Sequence, residues 1–158
     1  MNNKYVLIRV DDRLIHGQVM TGWVTTTWAS NIIVIDDALS EDDFMQNVFK
    51  MSLPDGLDLS VYSINDAVDV LNDPSESRNT IVIVKTILTI KELILKGVDI
   101  RTINIGGMGA KVGRDPIYKN LAASPEEVKA IKDMIEEGRT VYFQTLPEQP
   151  KIDMKKLL

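Results

Sequence analysis

The chain has 158 residues, a hydrophobic fraction of 44%, a formal net charge of −5 and no cysteine. This size and balance fit one domain over residues 1–158, burying roughly 70% of its unfolded surface. They exclude disulfides and thiolate or cysteine-zinc chemistry, an apolar run long enough to span a bilayer, and a broad basic surface for nucleic acid.

The first element is a strand at Tyr5–Val10. The surrounding MNNKYVLIRV lacks the apolar core and cleavage site of a signal peptide, so a cytoplasmic address is expected. The loop DDRLIHGQV follows, carrying the only histidine, and a helix runs from about Gly17 to Trp28. Val19, Trp23, Val24 and Thr27 recur at helical spacing and form its expected buried face. The almost wholly apolar NIIVI, Asn31–Ile35, reads as a strand covered on both sides. Ser40, with Asp43 three positions on, is the expected cap of a helix carrying Phe44, Val48 and Met51. Leu59–Tyr62 is a third strand and Asn65–Leu71 a short helix ended by Asp73–Pro74. Thr80–Val84 is a fourth strand, and the helix near Thr89–Lys96 stops at Gly97, a left-handed cap.

Arg101–Ile105 is the fifth strand and runs into Gly106, Gly107, Met108 and Gly109. An irregular stretch follows. Ser124-Pro125-Glu126-Glu127 then opens a helix, with a serine cap and proline at the first helical position. Gly138 ends that helix, Thr140–Gln144 is a last strand, and the tail reads as loop plus a short helix. Repeated strand–helix–strand units imply an α/β fold, a mostly parallel sheet between two helix layers.

In such sheets ligands bind at the carboxyl ends of the strands. The residues reaching that edge are Asp11, Asp12, Arg13 and His16, then Asp36 and Asp37, Lys85 and Thr86, and the glycines at 106, 107 and 109. His16 just ahead of a helix start sits where free backbone N–H groups favour an anion. A neutral imidazole can be a nucleophile without a base. Arg13 could then hold a transferred phosphoryl group through paired charged hydrogen bonds, with one of the two aspartates orienting it. A capping or interface role for His16 stays open on these residues alone, as does a carboxylate magnesium site of Asp11, Asp12, Asp36 and Asp37. GGMGAKVG departs from both the dinucleotide and the P-loop patterns, since Val112 stands where the third glycine or the Ser/Thr partner is needed.

VDDRLIHGQV, NIIVIDDALS, Lys85–Thr86, INIGGM at 103–108 and TLPEQPKIDMKKLL together resemble the IIB component of the mannose/fructose/sorbose-type bacterial phosphotransferase system, almost end to end. The resemblance implies a three-layer α/β/α sandwich and a phosphocarrier. His16 would take a phosphoryl group on Nδ1 from the phosphohistidine of a IIA protein. It would pass the group to a sugar bound by the membrane components IIC and IID, which would hold the protein at the inner face of the membrane. Arg13 matches the arginine at the phosphoryl site; Asp12, Gly17, Gly106 and Gly107 would line it. No metal or organic cofactor is implied, and a homodimer stays open. Met20, Trp23 and above all Met108 are candidates for docking partners. Two competing readings are a receiver-like signalling domain, which needs an aspartate where the chain has Tyr62-Ser63-Ile64, and a non-catalytic regulatory domain.

Overall fold

The computed structural model describes residues 1–158. Its first half runs β1 (Tyr5–Asp11), α1 (Gly17–Thr27), β2 (Asn31–Ile35), α2 (Asp37–Ser40), α3 (Asp43–Ser52), β3 (Asp58–Tyr62) and α4 (Ile64–Asn72). The second half runs β4 (Thr80–Val84), α5 (Ile87–Leu95), β5 (Thr102–Gly107), β6 (Asp115–Tyr118), β7 (Leu121–Ala123), α6 (Pro125–Glu136), β8 (Thr140–Phe143) and β9 (Ile152–Asp153). A single 3₁₀ turn, Met154–Lys156, closes the chain.

The main sheet has seven strands in the order β3-β2-β4-β1-β5-β8-β9. All neighbours are parallel except the last pair, where β9 lies antiparallel on β8. Strand alternation divides the interior into two cores. Ile32, Val34, Ile81 and Ile83 pack with Val19, Met20 and Trp23 of α1 on one face. Their neighbours Ile33, Ile35, Val82 and Val84 pack with residues of α4, α5 and α6 on the other. Every residue of β2 and β4 is buried, as helices on both sides require. The chain leaves β1 toward the first face, through α1, and leaves β5 toward the second, through β7 and α6. The carboxyl ends of β1 and β5 therefore flank a topological switch point, where open α/β sheets form crevices.

Helix ends follow local chemistry. Ser124 and Glu127 form a reciprocal capping box on α6, and Gly97 and Gly138 take the left-handed conformation after α5 and α6 (φ +97° and +92°). Several expectations are corrected. Ser40 ends α2 instead of opening a helix; Asp36 caps α2 and Asp42 caps α3 through their carboxylates. Phe44, Val48 and Met51 face solvent, with Phe44 74% and Met51 83% exposed, because Met45 and Phe49 on the other side of α3 meet the core. The stretch after β5 is no irregular loop: β6 and β7 form an antiparallel hairpin. The tail supplies an edge strand as well as a turn, and Met154 is fully buried. Met20, Trp23 and Met108 belong to the cores, Met108 at 1% exposure, so none can dock a partner.

Candidate active site

The loop between β1 and α1 is short and pinned from inside. Leu14 and Ile15 are both buried in the core beneath α1. Leu14 adopts a left-handed backbone (φ +58°), a conformation that is uncommon without glycine and needs its surroundings to enforce it. Burying these two side chains turns Arg13 and His16, on either side of them, outward; both are exposed. His16 is the N-cap of α1 with an extended backbone (φ −125°, ψ 112°), and its ring makes no capping hydrogen bond. The first backbone N–H groups of α1 therefore have no partner within the helix. Gly17 lies close to α3: a Cβ there would stand 3.1 Å from the Ser52 carbonyl oxygen.

Beneath this loop lies a buried ion network. Arg9, on the α1 side of β1, has no solvent exposure. Its Nη1 donates to Asn104 Oδ1 at 2.7 Å and to the Gln144 carbonyl at 3.2 Å. Its Nη2 donates to Asp11 Oδ2 at 3.2 Å and to the Thr145 carbonyl at 3.1 Å. The guanidinium also lies 5.4 Å from the centroid of the Trp23 ring, a cation–π contact. Asp11 in turn binds Arg13 through three hydrogen bonds. Oδ1 accepts from the Arg13 backbone N–H and from Nε, both at 3.0 Å, and Oδ2 accepts from Nη2 at 3.1 Å. Burial by itself would push the Asp11 carboxyl up; the hydrogen bonds from Arg13 and the charge of Arg9 outweigh it and hold it below the ordinary value. The same pairing raises the pKa of Arg13.

The double glycine belongs to this network. A Cβ on Gly106 would stand 1.9 Å from Arg9 Cζ, and one on Gly107 would stand 2.4 Å from Asp11 Oδ1. The space left by the two missing side chains is filled by the buried guanidinium and carboxylate.

Asp12 does not stand free beside the histidine. Its carboxylate accepts from Arg114 Nη1 at 2.6 Å and Nη2 at 3.0 Å, and from the Gly109 N–H at 3.0 Å. Arg114, with a side chain only 1% exposed, also pairs with Glu127 at 2.8 Å through both Nε and Nη2. Glu127 is thus both the third residue of the capping box on α6 and the inner counter-ion of Arg114. For Glu127, burial pushes upward, and hydrogen bonds from Arg114 and the Ser124 backbone bring it below its ordinary value. Asp12 thereby ties the end of β1 to the loop after β5 and to the start of α6.

A cleft of about 450 Å³ opens between these parts. Its wall includes Asp11, Asp12, Arg13, Gly106 and Gly107, and across from them Lys119 at the tip of the β6–β7 hairpin. Neither His16 nor Gly17 belongs to that wall. The other acids at this edge are occupied elsewhere. Asp36 caps α2 at Leu39, and Asp37 accepts from the Ile64 N–H at 2.8 Å. The four aspartates weighed as a magnesium site are therefore engaged in separate contacts, two in ion pairs and two at helix starts. After β3, where a receiver would carry its aspartate, Ser63 caps α4.

Arg9, Arg114 and Lys119 were not singled out by the sequence, and Glu127 was legible only as part of a helix start, not as the partner of Arg114. Arg9 left one signal, a lone charge in an inward position of the strand YVLIRV, paired with a double glycine elsewhere. Arg114 left none, since its partners lie 102 and 13 residues away.

Residues 5–158 match the family described as PTS system sorbose subfamily IIB component. The N-acetylgalactosamine-specific phosphotransferase enzyme IIB component 2 of Escherichia coli (strain K12) is 30% identical over 153 residues, covering 97% of this chain and 98% of that one. The mannose-specific EIIAB component of the same organism is 29% identical over 160 residues, covering 99% of this chain and 50% of that longer one. The crystal structure of the IIBSor domain of the sorbose permease from Klebsiella pneumoniae superposes with a TM-score of 0.87 at 27% identity, covering 95% of this chain and 93% of that one. With its fold and nearly all of its length shared with these proteins, the chain belongs to the sorbose-type IIB family and is a phosphotransferase-system phosphocarrier of the mannose, fructose, sorbose and N-acetylgalactosamine class, working in sugar uptake.

Proposed function

We propose that His16 is the residue that carries the phosphoryl group. The observation that carries this reading is the placement of the only histidine. It is exposed, at the N-terminus of α1, three residues beyond an arginine whose guanidinium is half free. Attack by a ring nitrogen, Nδ1 by family resemblance, forms the new P–N bond. The bond between phosphorus and the donor's imidazole breaks, and that ring leaves with its electron pair. The helix start and Arg13 face the charge that arrives, since phosphoryl transfer asks mainly for positioning and electrostatic stabilisation. Asp12 acts through Arg114 and the Gly109 N–H by holding the loop after β5. Gly106 and Gly107 admit the buried pair that supports Arg13, and Gly17 allows α1 to start against α3.

The donor is a phosphorylated IIA protein, a partner supported by the relative named as a joined EIIAB component. The acceptor is a sugar held by IIC and IID, which bring the protein to the inner face of the membrane. No helix of the chain is itself long and apolar enough to cross a membrane.

Incubation with phosphorus-labelled IIA tests the reading. The wild type is expected to take up label that is stable to base and lost in acid, and His16→Ala to take up none. Label retained on the alanine variant would overturn it.

A further inference from the structure

We propose that Asp11 is the positioning residue of the transfer step: anchored on buried Arg9, it holds Arg13 side-on, so that the far edge of the guanidinium meets the phosphoryl group. This rests on the reading of Arg13 as the phosphoryl clamp and adds how the clamp is aimed.

A guanidinium has two edges that can each grip an oxyanion with parallel hydrogen bonds, one made by Nε and Nη2 and the other by the two terminal nitrogens. Asp11 takes the first edge of Arg13, with Oδ1 on Nε at 3.0 Å and Oδ2 on Nη2 at 3.1 Å. Arg13 Nη1 has no partner in the protein, and one Nη2 hydrogen remains. The second edge is therefore intact and available, on a side chain that is 46% exposed. An arginine on a surface turn ordinarily samples many rotamers; here the backbone N–H of Arg13 is bound to the same carboxylate oxygen at 3.0 Å, which closes the side chain into a ring with its own main chain.

The carboxylate can do this because it is itself immobile. Asp11 is 1% exposed and meets Arg9 Nη2 at 3.2 Å. Arg9 is fastened at its other nitrogen by Asn104 and the Gln144 carbonyl. Gly107, opposite Asp11 in the register of β1 and β5, leaves the carboxylate its place. Arg9 also matters for charge. When the phosphoryl group brings roughly two negative charges to the far edge of Arg13, Asp11 keeps a cation of its own, so Arg13 need not abandon one anion to serve the other.

The test is a double-substitution cycle on the rate of phosphoryl transfer from phosphorylated IIA protein, measured by rapid quench over a range of donor concentrations. Asp11→Asn keeps the shape and removes the charge that grips the guanidinium. It should slow transfer at saturating donor by about 10- to 100-fold, the scale of a lost charged hydrogen bond, and leave the half-saturating donor concentration within about threefold. In an Arg13→Gln background the same change should have no further effect, because its target is gone. Multiplied losses in the double variant, with Arg13→Gln slow by itself, leave the clamp standing and overturn the part assigned to Asp11. An Arg13→Gln rate equal to wild type removes the clamp, and this proposal with it.

Arg13→Lys gives a second readout that leaves Asp11 and its buried partner Arg9 in the sequence. It keeps the positive charge but has no Nε/Nη2 edge to be held. A rate near that of Arg13→Gln supports the aimed clamp, even where Asp11→Asn fails to fold, and a rate near wild type overturns it.

Discussion

Gly106→Ala adds one methyl group at the point where the structure has least room for it. The new Cβ would stand 1.9 Å from Arg9 Cζ, and 2.1 and 2.2 Å from its two terminal nitrogens. The far end of an arginine can usually move aside, but this one is completely buried and fastened at both terminal nitrogens. Any retreat breaks hydrogen bonds to Asn104, Asp11 or the carbonyls of Gln144 and Thr145, and leaves a buried charge short of partners. Losing one side of a buried ion pair costs about 3–5 kcal/mol, which for a chain of this length lowers Tm by roughly 6–20 °C. Urea unfolding followed by tryptophan fluorescence suits the question, because Trp23 lies against the Arg9 guanidinium. Arg9→Met introduced into the Gly106→Ala protein removes both the clash and the charge. The double variant should therefore be more stable than the sum of the two single losses predicts. A Gly106→Ala loss below about 1 kcal/mol, with an unchanged denaturant slope, would mean that the guanidinium has room to move, and the packing argument would fall.

Arg114→Met should cost about 3–5 kcal/mol, since it leaves Glu127 buried without its counter-ion. Adding Glu127→Gln should recover part of that loss; strict additivity in thermal melts would count against the pairing. Acid stability follows from Asp11 and Glu127, both held below their unfolded values of about 3.9 and 4.3. The unfolded chain then binds more protons at low pH, so their contribution is complete above about pH 5 and lost as pH falls below about 4 through the lowered folded values. Glu127→Gln should flatten the acid limb of a Tm-against-pH curve, and an unchanged limb would refute its share. Met154→Ala removes a fully buried side chain contributed by the tail and should cost about 2–5 kcal/mol in urea unfolding; a loss under 1 kcal/mol would show that the last turn is not part of the core.

The residues of the chain are sufficient, taken in order, for the alternation of strands and helices, the capping box at Ser124, the left-handed stops at Gly97 and Gly138, and the placing of His16 and Arg13 at the carboxyl edge of β1. All of these rest on periodicity and on interactions spanning a few residues. Where two local patterns competed, the order of residues did not decide: α3 offers apolar side chains on both of its sides, and only its seat on the sheet selects Met45 and Phe49 over Phe44 and Met51. The edge strand at Ile152–Asp153 was equally hidden, because two residues have no period and their partners belong to β8.

Within the site the division is the same. DDRLIHGQV names the histidine and the arginine, but the two adjacent aspartates look alike in the sequence. Strand alternation sends Asp11 to the side of Arg9 and Arg13, while Asp12 reaches Arg114, 102 residues away. Register between β1 and β5 then sets Gly107 opposite Asp11 and leaves Gly106 against Arg9. Local sequence thus determined which groups stand at the sheet edge. Tertiary structure alone decided which charges meet, because ion pairing depends on distances of a few ångströms between segments that only strand pairing brings together.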